Sequence, residues 1–188
     1  MATNPFDNLR INAGSAQRSQ AWYRTQVGKL QNLQRTVDSS ISQARLITRP
    51  DIGKLYLFHY DPKHKDTLPY YDTMPLVFPF ERAQGGFLGL NLHYLPYVMR
   101  FKLMSALLDI AAKAGASRKT AFSWQLLSNS SRFPGAQVAV KHYLTAQMQS
   151  SFLEIPDDQW LAASQMPIER FVKTNKEAVF RDTRRMTR

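Results

Sequence analysis

Between residues 54 and 94 the apolar positions fall in short blocks bounded by proline, glycine and asparagine. On either side of that stretch they recur three or four apart, as on a helix face. The N-terminal helical pattern is carried by Tyr23, Val27, Leu30, Leu33 and Val37 and is expected to start near Ser15, whose hydroxyl can cap it. Asn4, Pro5, Asn8 and Asn12 oppose a helix before that point, so residues 1–13 read as an extended arm. Residues 38–52 are polar, close on Arg49-Pro50-Asp51 and read as a linker.

Residues 54–60 (KLYLFHY) predict a strand that is apolar on both faces and hence buried between two layers. Asp61-Pro62 ends it, and a polar loop leads to a second strand over 76–80. Pro75 and Pro79 cannot donate ladder hydrogen bonds, which predicts an edge strand or a bent one. Gln84-Gly85-Gly86 predicts the turn, with a positive φ at Gly86, and the chain returns as a third strand over 87–94. Gly89 in that strand allows a bulge or a close approach.

Pro96 suits the first turn of a helix over 97–115, stopped by Gly115. Val98, Phe101, Leu103, Met104, Leu107, Leu108, Ile110 and Ala111 cover more than one face, so this helix is expected to be central and largely buried. Arg100, Lys102, Asp109 and Lys113 are expected to mark its remaining solvent side. Three shorter helices are expected over 120–127, 136–148 and 157–164, and a basic helix or tail over 175–188. The fold class is α+β: a small curved antiparallel sheet of about three or more short strands, packed against a long central helix, with additional helices and extended basic termini. The chain divides into an N-terminal arm and amphipathic helix (1–50), a core domain (51–172) and a basic C-terminal helix or tail (173–188).

A hydrophobic fraction of 44% in 188 residues is enough for a real core. With no cysteine, disulfides, thiolate catalysis and cysteine zinc sites are excluded. No apolar run approaches the roughly 20 residues that span a bilayer, and the N-terminus lacks the charged-then-apolar pattern of a secretion signal. The expectation is a protein used where it is made, without a membrane partner.

Net charge is +11, and it is unevenly spread. Residues 1–50 hold 7 basic and 2 acidic side chains, residues 173–188 hold 6 and 2, and the middle holds 12 and 10. Basic ends suit an anionic partner, either nucleic acid or an acidic protein surface, although a solubilising surface has the same composition. In the tail, Lys173, Lys176, Arg181, Arg184, Arg185 and Arg188 are the candidate partner-binding residues. The last four recur every three or four positions and would form one helical stripe.

Candidate chemistry is sparse. His59, His64, His93 and His142 have no four-residue spacing and no acidic cluster, so packing explains them better than metal binding. Gly85, Gly86 and Gly89 lie in a hairpin with no Lys-Ser or Lys-Thr behind them, so a phosphate cradle is not expected. Asp61, Asp66 and Asp72 can be imagined as a metal-dependent nuclease triplet, but their loop settings favour turns and caps. No catalytic residue, metal or cofactor is therefore assigned. Tyr70, Tyr71, Phe78, Phe80, Phe87, His93 and Tyr94 can either stack bases or fill a thin core. Core filling is the expectation, with the loop residues Tyr70 and Tyr71 as possible stacking exceptions.

The phrases GKLYLFHYDPKHKDTLPYYDTMPLVFPF, GGFLGLNLHYLP, SWQLL and VKHYL resemble a family of virion proteins from T-even-like myophages, over roughly residues 15–185. Its members are described as DNA end-protector or head-completion proteins. The resemblance implies a non-enzymatic virion protein, assembled in the host cytoplasm, that binds the ends of packaged linear double-stranded DNA. It also admits a structural subunit of the neck, tail or baseplate, whose basic arms contact other virion proteins in a homo-oligomer or symmetric assembly.

Overall fold

A computed structural model describes residues 19–28, 35, 37–39, 49–113 and 136–186. The expected arm over 1–13, the stop at Gly115 and the helix over 120–127 lie outside them.

Five strands form one antiparallel sheet. They are β1 (Leu55–Leu57), β3 (Leu76–Ala83), β4 (Gly86–Asn91), β5 (Val140–Leu144) and β6 (Leu153–Ile155), in the order β5-β4-β3-β1-β6. A two-stranded ladder joins β2 (Tyr71–Asp72) to β7 (Phe171–Val172). Helices among the described residues include α1 (Gln20–Gly28), α2 (Tyr97–Lys113), α3 (Trp160–Ser164) and α4 (Lys176–Met186).

The sheet is buried on both faces, as the doubly apolar 54–60 segment requires. Leu55, Leu57, Leu76, Phe78 and Leu90 join the larger core cluster with Leu103, Met104 and Leu107 of α2, α3, Tyr23 of α1 and Val179 of α4. Tyr56, Phe58, Tyr60, Val77, Phe87, Tyr143 and Phe152 form a smaller aromatic cluster. There Phe58 meets Phe152 at 4.7 Å and Tyr143 at 5.5 Å between ring centroids. Such tilted and edge-on pairs add about 0.5–1.5 kcal/mol each beyond the area they bury. Trp160 closes the opposite face edge-on against Phe78 at 4.7 Å and donates its indole N–H to the Ile155 carbonyl at 2.9 Å.

Several expectations are corrected. The helix start expected near Ser15 lies outside the described residues; at the described start of α1, Ser19 Oγ accepts from the Trp22 amide at 3.2 Å. Strand β3 is the middle strand and not an edge, so the bend is what accommodates Pro79: the β3–β4 register shifts between Pro79 and Glu81. The Pro79 carbonyl accepts from the Gly53 amide at 2.9 Å, beyond the end of β1. Positive φ in the hairpin falls on Gly85 (+73°), not on Gly86. Gly86 is needed for a different reason, since a Cβ there would lie 1.8 Å from the Tyr143 carbonyl oxygen on β5.

The segment 136–148 is not a helix. It is a 3-10 turn (Ala136–Ala139), strand β5 and a second 3-10 turn (Thr145–Gln147), because β4 offers an open edge that VKHYL can pair with. Strand β6 was likewise not anticipated.

Arg100 does not mark a solvent side. It is fully buried, its Nε donates to the Leu95 carbonyl at 2.6 Å, and its Nη2 donates to the His93 carbonyl at 3.1 Å and pairs with Glu169 at 2.6 Å. Val98, counted among the buried positions, is instead half exposed.

Candidate nucleic-acid interface

The loop after β1 is short of apolar residues and is held by polar contacts. Lys65 Nζ reaches both Asp61 carboxylate oxygens at 2.8 and 3.0 Å, and the amides of Thr67 and Leu68 donate to the His64 carbonyl at 3.1 Å. Lys173 then ties the loop to the far end of the chain. Its ammonium donates to the carbonyls of Lys65, Asp66 and Leu68 at 2.7, 3.0 and 3.1 Å. Lys173 holds φ at +69°, and among the described residues it is the one non-glycine residue to do so. That conformation costs roughly 1–2 kcal/mol and is offset by three charge-assisted hydrogen bonds.

This braced loop, β5 and the end of α4 enclose a cleft of about 750 Å³, within the range of ordinary ligand pockets, roughly 300–1,000 Å³. Tyr70, Tyr71 and Tyr94 contribute rings to its wall. Tyr70 packs on Tyr94 at 6.1 Å and on Phe171 at 6.4 Å, while Tyr71 is held by pairing with Val172 in the small ladder. The other rings named from sequence go elsewhere: Phe78 and Phe87 are buried on opposite faces of the sheet, Phe80 packs against the larger cluster and His93 is fully buried.

Among the described residues the cleft lining holds one carboxylate, Asp72, and its oxygens are taken up by neighbouring donors. Its oxygens accept from the Met74 amide and Asn91 Nδ2 at 3.1 Å and lie 2.8 Å from His93 Nδ1. Burial alone would raise the Asp72 carboxyl, but His93, Asn91 and the Met74 amide outweigh it and hold the group below the usual aspartate value. Every other ionisable side chain of fixed or potential positive charge in the lining adds to one sign: Lys63, His64, Lys141 and His142.

Lys141 is the residue that the sequence reading missed. Strand β5 pairs it with Gly89, and strand alternation puts it on the face that carries Phe87 and Tyr143. Its Nζ lies 4.2 Å from the Tyr94 ring centroid, and it makes no ion pair among the described residues. Burial lowers its pKa from the ordinary lysine value. The sequence signal for it is the β-branched and aromatic VKHYL pattern, which lies inside the helix expected over 136–148.

Helix α4 forms the last wall. The Asn175 side chain caps it through the Ala178 amide at 2.9 Å, and Val179, Phe180 and Thr183 turn inward. Thr183 Oγ1 donates to the Tyr94 carbonyl at 2.7 Å. Arg181, Arg184 and Arg185 lie on the opposite, exposed side. Lys176 is placed differently, with its ammonium 3.4 Å from the Tyr97 hydroxyl and 5.7 Å from that ring's centroid. Of the six tail cations, then, Lys173 and Lys176 are engaged within the fold, Arg181, Arg184 and Arg185 share one outward face, and Arg188 lies outside the described residues.

The model of the phage T4 terminal DNA protecting protein family matches residues 9–184. The chain belongs to that family. No curated protein and no solved structure matches it.

For a member of the terminal DNA protecting family, the disposition of charge is the informative feature. Positive groups line the cleft and project from the outer face of α4, whereas Asp72, the acid in the lining among the described residues, is tied into the fold. Among the residues imagined as a nuclease triplet, Asp61 is paired with Lys65 and Asp72 with His93, while Asp66 is exposed. Among the described residues no three histidines or acids group as a metal site, and no helix is long and apolar enough to cross a membrane.

Proposed function

We propose that this protein is a virion component that binds the ends of packaged linear double-stranded DNA and shields them by occupancy, without catalysis. The observation that carries this reading is the family match over residues 9–184. Binding is largely independent of base sequence: Arg181, Arg184 and Arg185 engage phosphates, which position a duplex without reading it. The protein joins the particle at head completion, in the host cytoplasm.

The test is binding of purified protein to blunt linear DNA and to closed circular DNA of the same sequence, each at two salt concentrations. A preference for linear DNA, with protection from an exonuclease, is the expected result. Equal binding to both forms, or none near physiological salt, would overturn it and point to a neck, tail or baseplate subunit whose basic side chains face protein.

A further inference from the structure

We propose that the cleft between the 61–72 loop, β5 and α4 is a terminal-nucleotide pocket. It takes the last, unpaired nucleotide of a DNA end, with the base against Tyr70 and Tyr71 and the phosphate at Lys141. This rests on the end-binding reading above and deepens it by saying what distinguishes an end from the middle of a duplex.

Four observations meet at this site. The volume, about 750 Å³, is that of a small-ligand pocket, large enough for a single nucleotide and too small for a duplex. Its walls offer aromatic faces, on which any base can stack, so the pocket reads no sequence. Lys141 is drawn back from solvent over the Tyr94 ring and has no carboxylate partner among the described residues, a place where a phosphate would bring counter-charge. Asp72, the one acid in the lining among the described residues, is held by Asn91, His93 and the Met74 amide, donors that screen its charge from an incoming anion.

The geometry also suits the energetics of opening an end. Extruding a base costs a few kcal/mol within a duplex and least where pairing is already weak. A terminal pair is stacked on one side only, so it is the least expensive pair to open. Closed circular DNA has no such pair. Lys63 and His142 also line the cleft and are exposed, so they are available to the next phosphate along the strand.

The experiment compares three competitors for the full-length protein: open-ended linear duplex, the same duplex with both ends closed by hairpin loops, and closed circular DNA. A 5-iodouracil placed at the terminal or at the tenth nucleotide of the open duplex is photocrosslinked in parallel, and the adduct is mapped by mass spectrometry. The proposal expects open ends to compete at least tenfold better than hairpin-closed ends, with terminal crosslinks on Tyr70 or Tyr71. It also expects Lys141→Gln to lose most of the open-over-closed preference. If hairpin-closed and open ends compete equally while both exceed circular DNA, the pocket is wrong and end binding stands. If all three compete equally, end binding itself fails. Terminal crosslinks that map only to α4 would also overturn the pocket, and they require no variant to fold.

Discussion

Arg100 Nη2 and Glu169 Oε1 lie 2.6 Å apart, with both side chains almost closed off from solvent. This pair locks the start of α2 to the segment leading into β7. The Arg100 guanidinium also lies 4.6 Å from the Tyr97 ring centroid and 5.3 Å from that of Phe180, so the helix carrying the outward arginines is seated on it. Glu169→Gln leaves a buried guanidinium without its counter-ion and should cost about 3–5 kcal/mol, read by chemical denaturation. Replacing both partners, Arg100→Met with Glu169→Leu, should cost far less. Equal losses in the single and double variants would show that the ion pair is not what holds this junction.

Acid should loosen the protein through two buried carboxyls. Burial would raise Asp72 and Glu169, but His93 and Asn91 outweigh it for Asp72, and Arg100 and His93 outweigh it for Glu169, so both are held below their ordinary values. A lowered folded pKa contributes stability above the unfolded value that is lost as pH falls through the folded one. The contribution of these two carboxyls should therefore be flat from neutral pH to about pH 5 and fall below about pH 4, near the unfolded carboxyl values. Asp72→Asn should lower stability at neutral pH and remove part of the acid-side slope. An unchanged slope in that variant would count against the role given to Asp72.

Two adjacent glycines should respond differently to the same substitution. At Gly85, with φ at +73° and the added carbon in ordinary contact with Leu144 Cδ2 at 3.6 Å, alanine should cost roughly 1–2 kcal/mol. At Gly86 the added carbon meets the Tyr143 backbone, so alanine or valine should force β5 off β4 and cost more. Thermal melts of the two alanine variants decide this, and similar melting temperatures would contradict the close approach.

Reversing the charge at Arg181, Arg184 and Arg185 should leave the fold intact, because all three are exposed on the outer side of α4. If each neutralises one phosphate, the slope of log binding constant against log salt should fall by roughly 3 in magnitude. Retained affinity with an unchanged slope would remove this face from the interface.

Lys141→Met should separate stability from binding. Burial disfavours the Lys141 ammonium in the folded protein, so removing it should raise stability by about 0.5–2 kcal/mol at neutral pH. The advantage should shrink as pH rises towards the ordinary lysine value of 10.5, where the wild-type amine sheds its proton as well. Preference for DNA ends should fall in the same variant. A variant that is less stable at neutral pH would contradict the unpaired placement of the ammonium.

Much of this protein is legible without coordinates, because local chemistry decides it. Apolar residues on both faces of 54–60 demand a strand covered on two sides, Asn175 and the acid-rich start at 157–158 mark helix beginnings, and the double glycine marks a hairpin. The stripe formed by Arg181, Arg184 and Arg185 follows from helical spacing alone. What required the tertiary structure is whatever depends on a distant partner. VKHYL becomes a strand because β4 has an unpaired edge. Arg100 can be buried because Glu169, 69 positions away, is there to neutralise it. Pro79 is tolerated in the middle of the sheet because the register shifts beside it and β1 has already ended. The cleft belongs to this second group. Tyr70 and Tyr71 come from the segment after β1, Tyr94 from beyond β4, the lysine from β5 and the outer wall from α4, segments that no sequence pattern ties together until the core draws them into one place.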